Sequence, residues 1–180
     1  MCSQHDSHLP SDVEYNSLTV HGMNFVELMA NQRATDRFTQ NFNSDTSLAR
    51  FADGSLDAAL MAVSIQYMQS PVELLREVRR TLRPGGVCIV SFSNRMFFTK
   101  AIDAWRSCKS MSSLANLVKG YFADAGFVGT RVANRVAADG AGPLGDPFVA
   151  VVGFRDSAPE GALQHDEISW MPGMSAGGIW

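Results

Sequence analysis

The sequence predicts an α/β fold built around a parallel sheet, and three consecutive segments between Phe51 and Asn94 carry that prediction. Leu56–Val63 is an apolar run without regular polar alternation, which is typical of a strand covered by helices on both faces. An amphipathic segment follows it, and Val87–Phe92 is a second apolar run. A strand, a helix and a second strand in unbroken succession form a βαβ unit, the building block of parallel sheets.

The amphipathic segment carries signals for both ends of a helix from Pro71 to about Leu82. Pro71 suits the first helical position because it has no N–H to leave unpaired. Ser70 and Glu73 have the spacing of a capping box, in which each side chain accepts from the other residue's backbone N–H. Three basic residues favour the negative end of the helix dipole before Pro84-Gly85-Gly86 breaks the chain, and these are Arg79, Arg80 and Arg83.

The segments on either side continue the alternation of strands and helices. Upstream we predict, in order, a strand at Ser17–Met23, a helix at Phe25–Asn31 and a weaker strand candidate at Arg37–Phe42. Downstream we predict an amphipathic segment at Lys100–Ser107, a helical face from Leu114 that ends at Gly126, a strand at Phe127–Val136, a loop at Gly140–Gly145 and a last strand at Phe148–Phe154. Residues 1–155 are predicted to form one domain, and the Gly-, Pro- and Ser-rich residues 156–180 a flexible tail.

Composition limits the kinds of partner. With 180 residues, 46% hydrophobic, the chain is long enough for one core. A net charge of −3 with both signs interspersed predicts no nucleic-acid partner and no anionic membrane partner. We find neither a bilayer-spanning apolar stretch nor a signal peptide, which predicts a soluble, non-secreted, cytoplasmic protein with an organelle not excluded. The unclustered cysteines Cys2, Cys88 and Cys108 are expected to be free thiols.

Two short patterns are weak evidence for a ligand site. Gly140–Gly145 matches G-x-G-x-x-G, but it leads into a strand and contains Pro143, whereas a dinucleotide fingerprint must open a helix. A plain hairpin loop is therefore the expected structure. His5 and His8 lack a third ligand at a defined spacing, so we predict no metal site.

Three longer stretches resemble a known family. FADGSLDAAL, VSIQYMQSPVELLREVRRTLRPGGVCIVSFSNRMFFTKA and GDPFVAVVG resemble the second half of a class I S-adenosylmethionine-dependent methyltransferase of the type 11 group. LRPGG joined to Ile65-Gln66-Tyr67 and Ser91–Phe97 makes the resemblance specific, and it covers roughly His8 to Phe154. It implies a Rossmann-like three-layer sandwich whose mostly parallel sheet has an antiparallel last strand and the order 3-2-1-4-5-7-6.

The resemblance begins after the family's first strand, which would lie between Ser17–Met23 and Leu56–Val63. That strand is the apparent gap in this fold, and about five unpaired residues would forgo several hydrogen bonds worth about 1 kcal/mol each. The sum, with the lost packing, approaches a domain's stability of about 5 to 15 kcal/mol. Three alternatives stay open: the flanking strands pair directly, another chain donates a strand, or the chain is an incomplete and poorly stable copy.

The resemblance also implies cofactor positions at strand ends. Asn24 stands where a carboxylate usually meets the ribose, Asn41 where an acidic residue meets the adenine amine, and the Phe42 N–H near the adenine ring. Val63 and Ser64 would approach the cofactor, with Gln66 and Tyr67 at the mouth. Ordinary strand-end packing is the alternative interpretation of these residues.

A second implied set lies after the following strand. Ser93, Asn94 and Arg95 would face the substrate, since ligands of open parallel sheets bind at the carboxyl ends of strands. Their alternative interpretation is a capped turn into the following helix.

The function that follows is transfer of a methyl group from S-adenosylmethionine to an unidentified small acceptor. No catalytic side chain is predicted, because the protein's main task is to align donor and acceptor and to exclude water. The rival hypothesis is a non-catalytic methyltransferase remnant that acts as a partner or regulatory subunit, and a partner chain that supplies a strand fits it. A nicotinamide oxidoreductase is a distant third.

Overall fold

Six strands and four α-helices make up the part of the chain that the computed structural model describes, which is residue 9, residues 13–135 and residues 147–157. In chain order they are β1 Thr19–Gly22, α1 Phe25–Ala30, β2 Asp36–Thr39, β3 Leu56–Ala62, a 3₁₀ turn Ile65–Tyr67, α2 Pro71–Thr81, β4 Leu82–Ser93, α3 Asp103–Ser107, α4 Met111–Asp124, β5 Val128–Arg135 and β6 Phe148–Phe154. The described residues divide into two compact units, a smaller one that ends at Asn41 and a larger one that begins at Phe42.

The smaller unit contains a parallel pair of strands with a helix between them. β1 and β2 are in register from Thr19 opposite Asp36 to Gly22 opposite Thr39. Leu28 of α1 is fully buried, and its carbonyl accepts from the Arg37 guanidinium of β2 at 2.9 Å. A polar side chain therefore joins the helix to the strand that follows it.

The larger unit contains a four-stranded sheet in the order β3-β4-β6-β5. β3 and β4 are parallel, with Ala58 opposite Val87 and Ala62 opposite Ser91, and α2 connects them. β6 is antiparallel to both of its neighbours, β4 and β5. The predicted βαβ unit and the predicted antiparallel last strand are both confirmed.

α4 closes the core of the larger unit against β6. The Phe122 ring of α4 lies 4.9 Å from the ring of Phe127, and a Cβ added at Gly153 would be only 2.5 Å from a Phe122 ring carbon. The helix comes that close because residue 153 has no side chain. Elsewhere in the larger unit, the buried rings of Phe92 in β4 and Trp105 in α3 pack edge to face, with their centroids 5.2 Å apart.

The capping box predicted at Ser70 is wrong. Ser70 has a ψ of 66°, short of the extended backbone that a capping residue adopts, and its side chain makes no capping hydrogen bond. Glu73 instead lies 3.9 Å from Arg76. The capping box of the larger unit is at the start of α4, where Ser110 and Ser113 each accept from the other's N–H at 3.1 Å.

The predicted start of the second strand is also wrong. Leu82 already pairs with Leu56, and the next pair is Ala58 with Val87, so Arg83–Gly86 bulges out of the ladder. Gly85 has a φ of 74°, which glycine adopts without a steric penalty. LRPGG is thus a bulge within β4 and not a break before it.

β3 is more exposed than the sequence predicts. Asp57 and Ala58 are exposed, and Leu60 retains 45% of its accessible surface. β3 is the edge strand of its sheet, because within the described residues it pairs with β4 alone. β1 pairs with β2 and not with β3, so direct pairing of the two strands that flank the predicted gap does not occur in the described chain.

Some predictions concern residues outside the described ranges. These are the loop at Gly140–Gly145, the histidines His5 and His8, and nearly all of the tail from residue 156. No helix in the described part is long and apolar enough to cross a membrane.

Candidate functional site

The carboxyl end of β3 turns through a strained residue. Val63 follows the strand with a φ of 44°, and it is the one non-glycine residue of the described chain with a positive φ. A β-branched residue in this conformation costs of order 1–3 kcal/mol, and such strain persists where surrounding structure holds it. The Val63 N–H donates to the Ser91 carbonyl at 2.8 Å, so the parallel ladder to β4 holds the strained residue in place.

Gln66 follows in the 3₁₀ turn with its side chain fully buried. Neither the amide nitrogen nor the amide oxygen has a hydrogen-bond partner among the described residues. The equally buried Thr81 is satisfied, because its hydroxyl donates to the Val78 carbonyl at 2.8 Å, whereas the indole N–H of the buried Trp105 also lacks a partner among the described residues. An unsatisfied buried amide is uncommon in native proteins and calls for a specific explanation.

Tyr67 connects this turn to the segment that follows β4. Its hydroxyl oxygen accepts from the Phe97 N–H at 2.9 Å, and the two rings lie 6.2 Å apart. One residue earlier, the Gln66 carbonyl accepts from the Ile102 N–H at 3.0 Å. Two hydrogen bonds therefore fix the Phe97–Ile102 segment beside the carboxyl ends of β3 and β4.

Ser93, Asn94 and Arg95 occupy the end of β4. Ser93 is buried and its hydroxyl accepts from the Arg95 N–H at 3.1 Å, whereas Asn94 and Arg95 are exposed. A capped turn is therefore present, as the alternative interpretation expected. It leads into an irregular segment and not directly into a helix, because α3 begins only at Asp103.

Sequence reasoning missed Asn43 as a positioning residue of this edge. Its side chain donates to the Tyr67 carbonyl at 2.9 Å and accepts from the Gln69 N–H at 2.8 Å. The half-buried Phe42 directly precedes it. In the sequence, the one indication was that asparagine side chains commonly hydrogen-bond to backbone groups of irregular segments. That tendency does not identify the segment to which a given asparagine binds.

The larger unit thus brings together most of the predicted site residues. Val63, Ser64, Gln66 and Tyr67 follow β3, while Ser93 ends β4 and Asn94 and Arg95 follow it, at the same edge of the sheet. Phe42 also belongs to this unit.

Asn24 and Asn41 belong to the smaller unit. They follow the carboxyl ends of β1 and β2, two residues after each strand. Asn24 caps α1: its side-chain oxygen accepts from the Val26 N–H at 3.0 Å, and its amide donates to Glu27 at 3.2 Å. Asn41 is exposed.

The larger unit offers no activated thiol at this edge. Cys88 lies within β4, and burial raises the pKa of its thiol to about 12, so it is protonated at neutral pH. The described residues also hold no cluster of three metal-ligating side chains. The protonated Cys88 thiol does not support nucleophilic catalysis by this residue.

Comparisons with known proteins point to one family. Residues 7–90 match the family model described as a methyltransferase domain. A 40-residue stretch is 48% identical to the human protein named thiol S-methyltransferase TMT1B, and it spans 22% of this chain and 16% of that protein.

Solved structures share the fold. A SAM-dependent methyltransferase of Thermotoga maritima, described as a possible histamine N-methyltransferase, is 20% identical with a TM-score of 0.54, over 77% of this chain and 72% of that chain. An S-adenosylmethionine-dependent methyltransferase of Mesorhizobium loti is 15% identical with a TM-score of 0.56, over 77% of this chain and 80% of its own. Together with the strand order of the larger sheet, they show that this chain has the fold of class I S-adenosylmethionine-dependent methyltransferases, and residues 7–90 are similar to the methyltransferase-domain family model.

Proposed function

We propose that this chain transfers a methyl group from S-adenosylmethionine, the cofactor that its family implies, to a small acceptor. The single observation that carries the proposal is the edge at which β3 and β4 end, where strain at Val63 and an unsatisfied amide at Gln66 occur within four residues. Strained backbone and unsatisfied polar groups are retained where function requires them. Ligands of open parallel sheets bind at such an edge.

The residues at this edge fit a ligand that carries both hydrogen-bond donors and acceptors. The Gln66 amide has two donor hydrogens and an acceptor oxygen, all without a protein partner in the described chain. S-adenosylmethionine carries both kinds of group on its amino acid, ribose and adenine. When bound, it supplies an electrophilic methyl group on a sulfonium.

This chain's own residues would bind the cofactor and position the acceptor beside it. We assign Val63, Ser64, Gln66 and Tyr67, with Phe42, to the cofactor side, and Ser93, Asn94 and Arg95 to the acceptor side. In the smaller unit we assign Asn24 to the ribose and Asn41 to the adenine amine on the strength of the resemblance. Methyl transfer requires no acid–base pair from the protein, so alignment and exclusion of water are their task.

Access to Gln66 requires a movement. Both amide atoms lie out of contact with solvent, and the Phe97–Ile102 segment is bonded to Tyr67 and Gln66. We infer that this segment lifts when a ligand binds. Hydrogen exchange at the Phe97 and Ile102 amides would report that movement.

The acceptor is proposed to be a thiol. The support is the partial likeness to a human thiol S-methyltransferase, which spans only 16% of that protein. A thiol is also a good nucleophile near neutral pH without a protein base, because a few per cent is already thiolate.

Titration of S-adenosylhomocysteine into the purified chain, followed by methyl transfer from radiolabelled S-adenosylmethionine, tests the proposal. We expect saturable binding, and more transfer to 2-mercaptoethanol than to ethanolamine or ethylene glycol. Failure of a folded chain to bind at millimolar ligand would contradict the function. Binding without preference for the thiol would contradict only the acceptor.

The alternative is a non-catalytic partner subunit, and the exposed edge of β3 favours it. An unpaired edge strand is a template for a strand of another chain. In that case the chain binds no S-adenosylhomocysteine by itself, which the same titration detects.

A further inference from the structure

Two adjacent phenylalanines form the most exposed apolar feature of the larger unit. Phe97 is 63% exposed and Phe98 is 65% exposed, and both lie in the segment that follows β4. A single exposed apolar side chain needs no explanation, but adjacent exposed aromatic rings mark surfaces that meet an apolar partner. We call this feature the phenylalanine pair.

The phenylalanine pair is held on an ordered turn. The Phe97 N–H donates to the Tyr67 hydroxyl, and the Phe97 carbonyl accepts from the N–H groups of Lys100 at 2.9 Å and Ala101 at 3.0 Å. While these hydrogen bonds to Tyr67 and within the turn are in place, the backbone is ordered, so in the absence of a ligand at Gln66 little conformational entropy is lost when the rings meet a partner.

Positive charge surrounds the phenylalanine pair. The Lys100 ammonium lies 5.5 Å from the centroid of the Phe97 ring, and the Arg106 guanidinium carbon lies 5.4 Å from that of Phe98. Residues 94–109 contain four basic side chains, the other two being Arg95 and Lys109, against the single acidic Asp103. The chain as a whole carries −3, so this segment is locally basic on an acidic protein.

We propose that the phenylalanine pair and its basic neighbours dock on an anionic lipid surface. Aromatic rings beside Lys and Arg suit the boundary between headgroups and acyl chains, because the rings enter it while the cations meet acidic headgroups. The prediction that no anionic membrane is a partner rests on the charge of the whole chain, and membrane attraction acts over about 10 Å or less. The inference goes beyond methyl transfer and does not depend on it.

Flotation of the purified chain with vesicles tests the proposal. We expect binding to phosphatidylcholine vesicles that contain phosphatidylserine and little binding to phosphatidylcholine alone. Lys100 should contribute about fivefold to binding at low salt, whereas Arg106 should contribute less because it is ion-paired with Asp103. High salt should weaken the binding.

Matched variants assign the effect to this segment. Phe97→Ser with Phe98→Ser should reduce binding by at least about tenfold, and Lys100→Gln should reduce it by about fivefold. Val128→Ser and Lys119→Gln change an exposed apolar residue and an exposed lysine elsewhere in the unit, and should leave binding unchanged. The thermal midpoint of each variant shows that it is folded.

Two outcomes would overturn the proposal. They are no binding of the folded wild type to phosphatidylserine vesicles, and binding that is equal in wild type and the double variant.

Discussion

At the scale of single residues, Gln66 provides the sharpest test of the site. Replacement by Met keeps the length of the side chain and removes two buried polar atoms that have no partner in the described chain. Unsatisfied groups destabilise by about 1–3 kcal/mol, so Gln66→Met should raise the free energy of unfolding by about 1 kcal/mol or more. The same change should weaken binding of S-adenosylhomocysteine.

Thermal unfolding measures the first effect and calorimetric titration the second. Thr81→Val is the matched control, because Thr81 is equally buried but donates to the Val78 carbonyl, and its replacement should not raise stability. A Gln66→Met chain that is less stable than wild type would show that the amide has a partner.

The asparagines of the smaller unit allow a gain-of-function test. Asn24→Asp and Asn41→Asp introduce carboxylates at the two positions where the resemblance implies an acidic residue, and charge-assisted hydrogen bonds are worth about 1.5–3 kcal/mol. We expect each to strengthen binding of S-adenosylmethionine about tenfold or more. The carboxylate introduced by Asn24→Asp can still accept from the Val26 N–H and so keep the cap of α1, but it loses the hydrogen bond that the Asn24 amide donates to Glu27.

Asn116→Asp adds the same charge on the exposed face of α4 and should leave the dissociation constant unchanged. If all three variants bind alike, the residue assignments in the smaller unit are wrong.

At the scale of elements, the contact between α4 and β6 predicts opposite effects of one substitution at two glycines. A Cβ at Gly153 would overlap the Phe122 ring, so Gly153→Ala should destabilise by about 1–3 kcal/mol. Gly120 lies on the exposed face of α4 with no atom within 4 Å of a built Cβ. Gly120→Ala should stabilise by about 0.5–1 kcal/mol, since alanine favours helix. Denaturant unfolding measures both, and the same sign for both would contradict the packing.

The end of α2 predicts different roles for two arginines. Arg80 binds Glu77 and Asp53 and donates to the Leu48 and Phe51 carbonyls, so it fixes the irregular segment before β3. Arg83 makes one exposed ion pair with Asp57. Arg80→Gln should cost about 2 kcal/mol, whereas Arg83→Gln should cost less than about 0.5 kcal/mol. Equal midpoints for the two variants in urea would contradict this difference.

The same cluster gives a pH dependence. Hydrogen bonds from Arg80, and then from the Leu48 N–H, hold the pKa of Glu77 below its ordinary value of 4.5. A carboxyl group whose pKa is lowered on folding stabilises the fold at pH values above its ordinary pKa of 4.5. This stabilisation is lost as the pH falls through the lower pKa of the folded state. The stability difference between wild type and Glu77→Gln should therefore be present at neutral pH and disappear in acid.

At the scale of the whole molecule, we expect the exposed edge strand β3 to tolerate a charged side chain. Leu60 is half-exposed on this strand, whereas Val90 is fully buried on the neighbouring β4. Leu60→Lys should leave the thermal midpoint within a few degrees and reduce self-association, because charged side chains protect edge strands. Val90→Lys should prevent folding, since it buries an unpaired charge. Sedimentation and thermal unfolding check both, and a strongly destabilised Leu60→Lys chain would show that β3 is covered.

The sequence by itself determined which segments become strands and helices, because their apolar patterns are local. The strand predicted at Leu56–Val63, the helix that Pro71 opens and the last strand at Phe148–Phe154 are where they were predicted, and the antiparallel direction of the last strand is as the resemblance implied. The residues at the carboxyl ends of the strands were also predictable. Parallel strands end at the same edge of a sheet, and the resemblance indicates which residues of this chain lie there.

Only the tertiary structure decided what depends on contacts between distant segments. The sequence does not show that Ser70 fails to cap and that Ser110 does, because each cap depends on backbone angles fixed by neighbouring elements. Nor does it show that the Gln66 amide lacks a partner among the residues that the structure describes, or that Asn43 is hydrogen-bonded to the Tyr67 carbonyl. It also does not show that the Phe97 N–H donates to the Tyr67 hydroxyl while the Phe97 ring stays exposed. Burial and hydrogen-bond pairing are properties of the packed molecule, so a one-dimensional pattern can name the residues at a site but cannot say which of their atoms remain free.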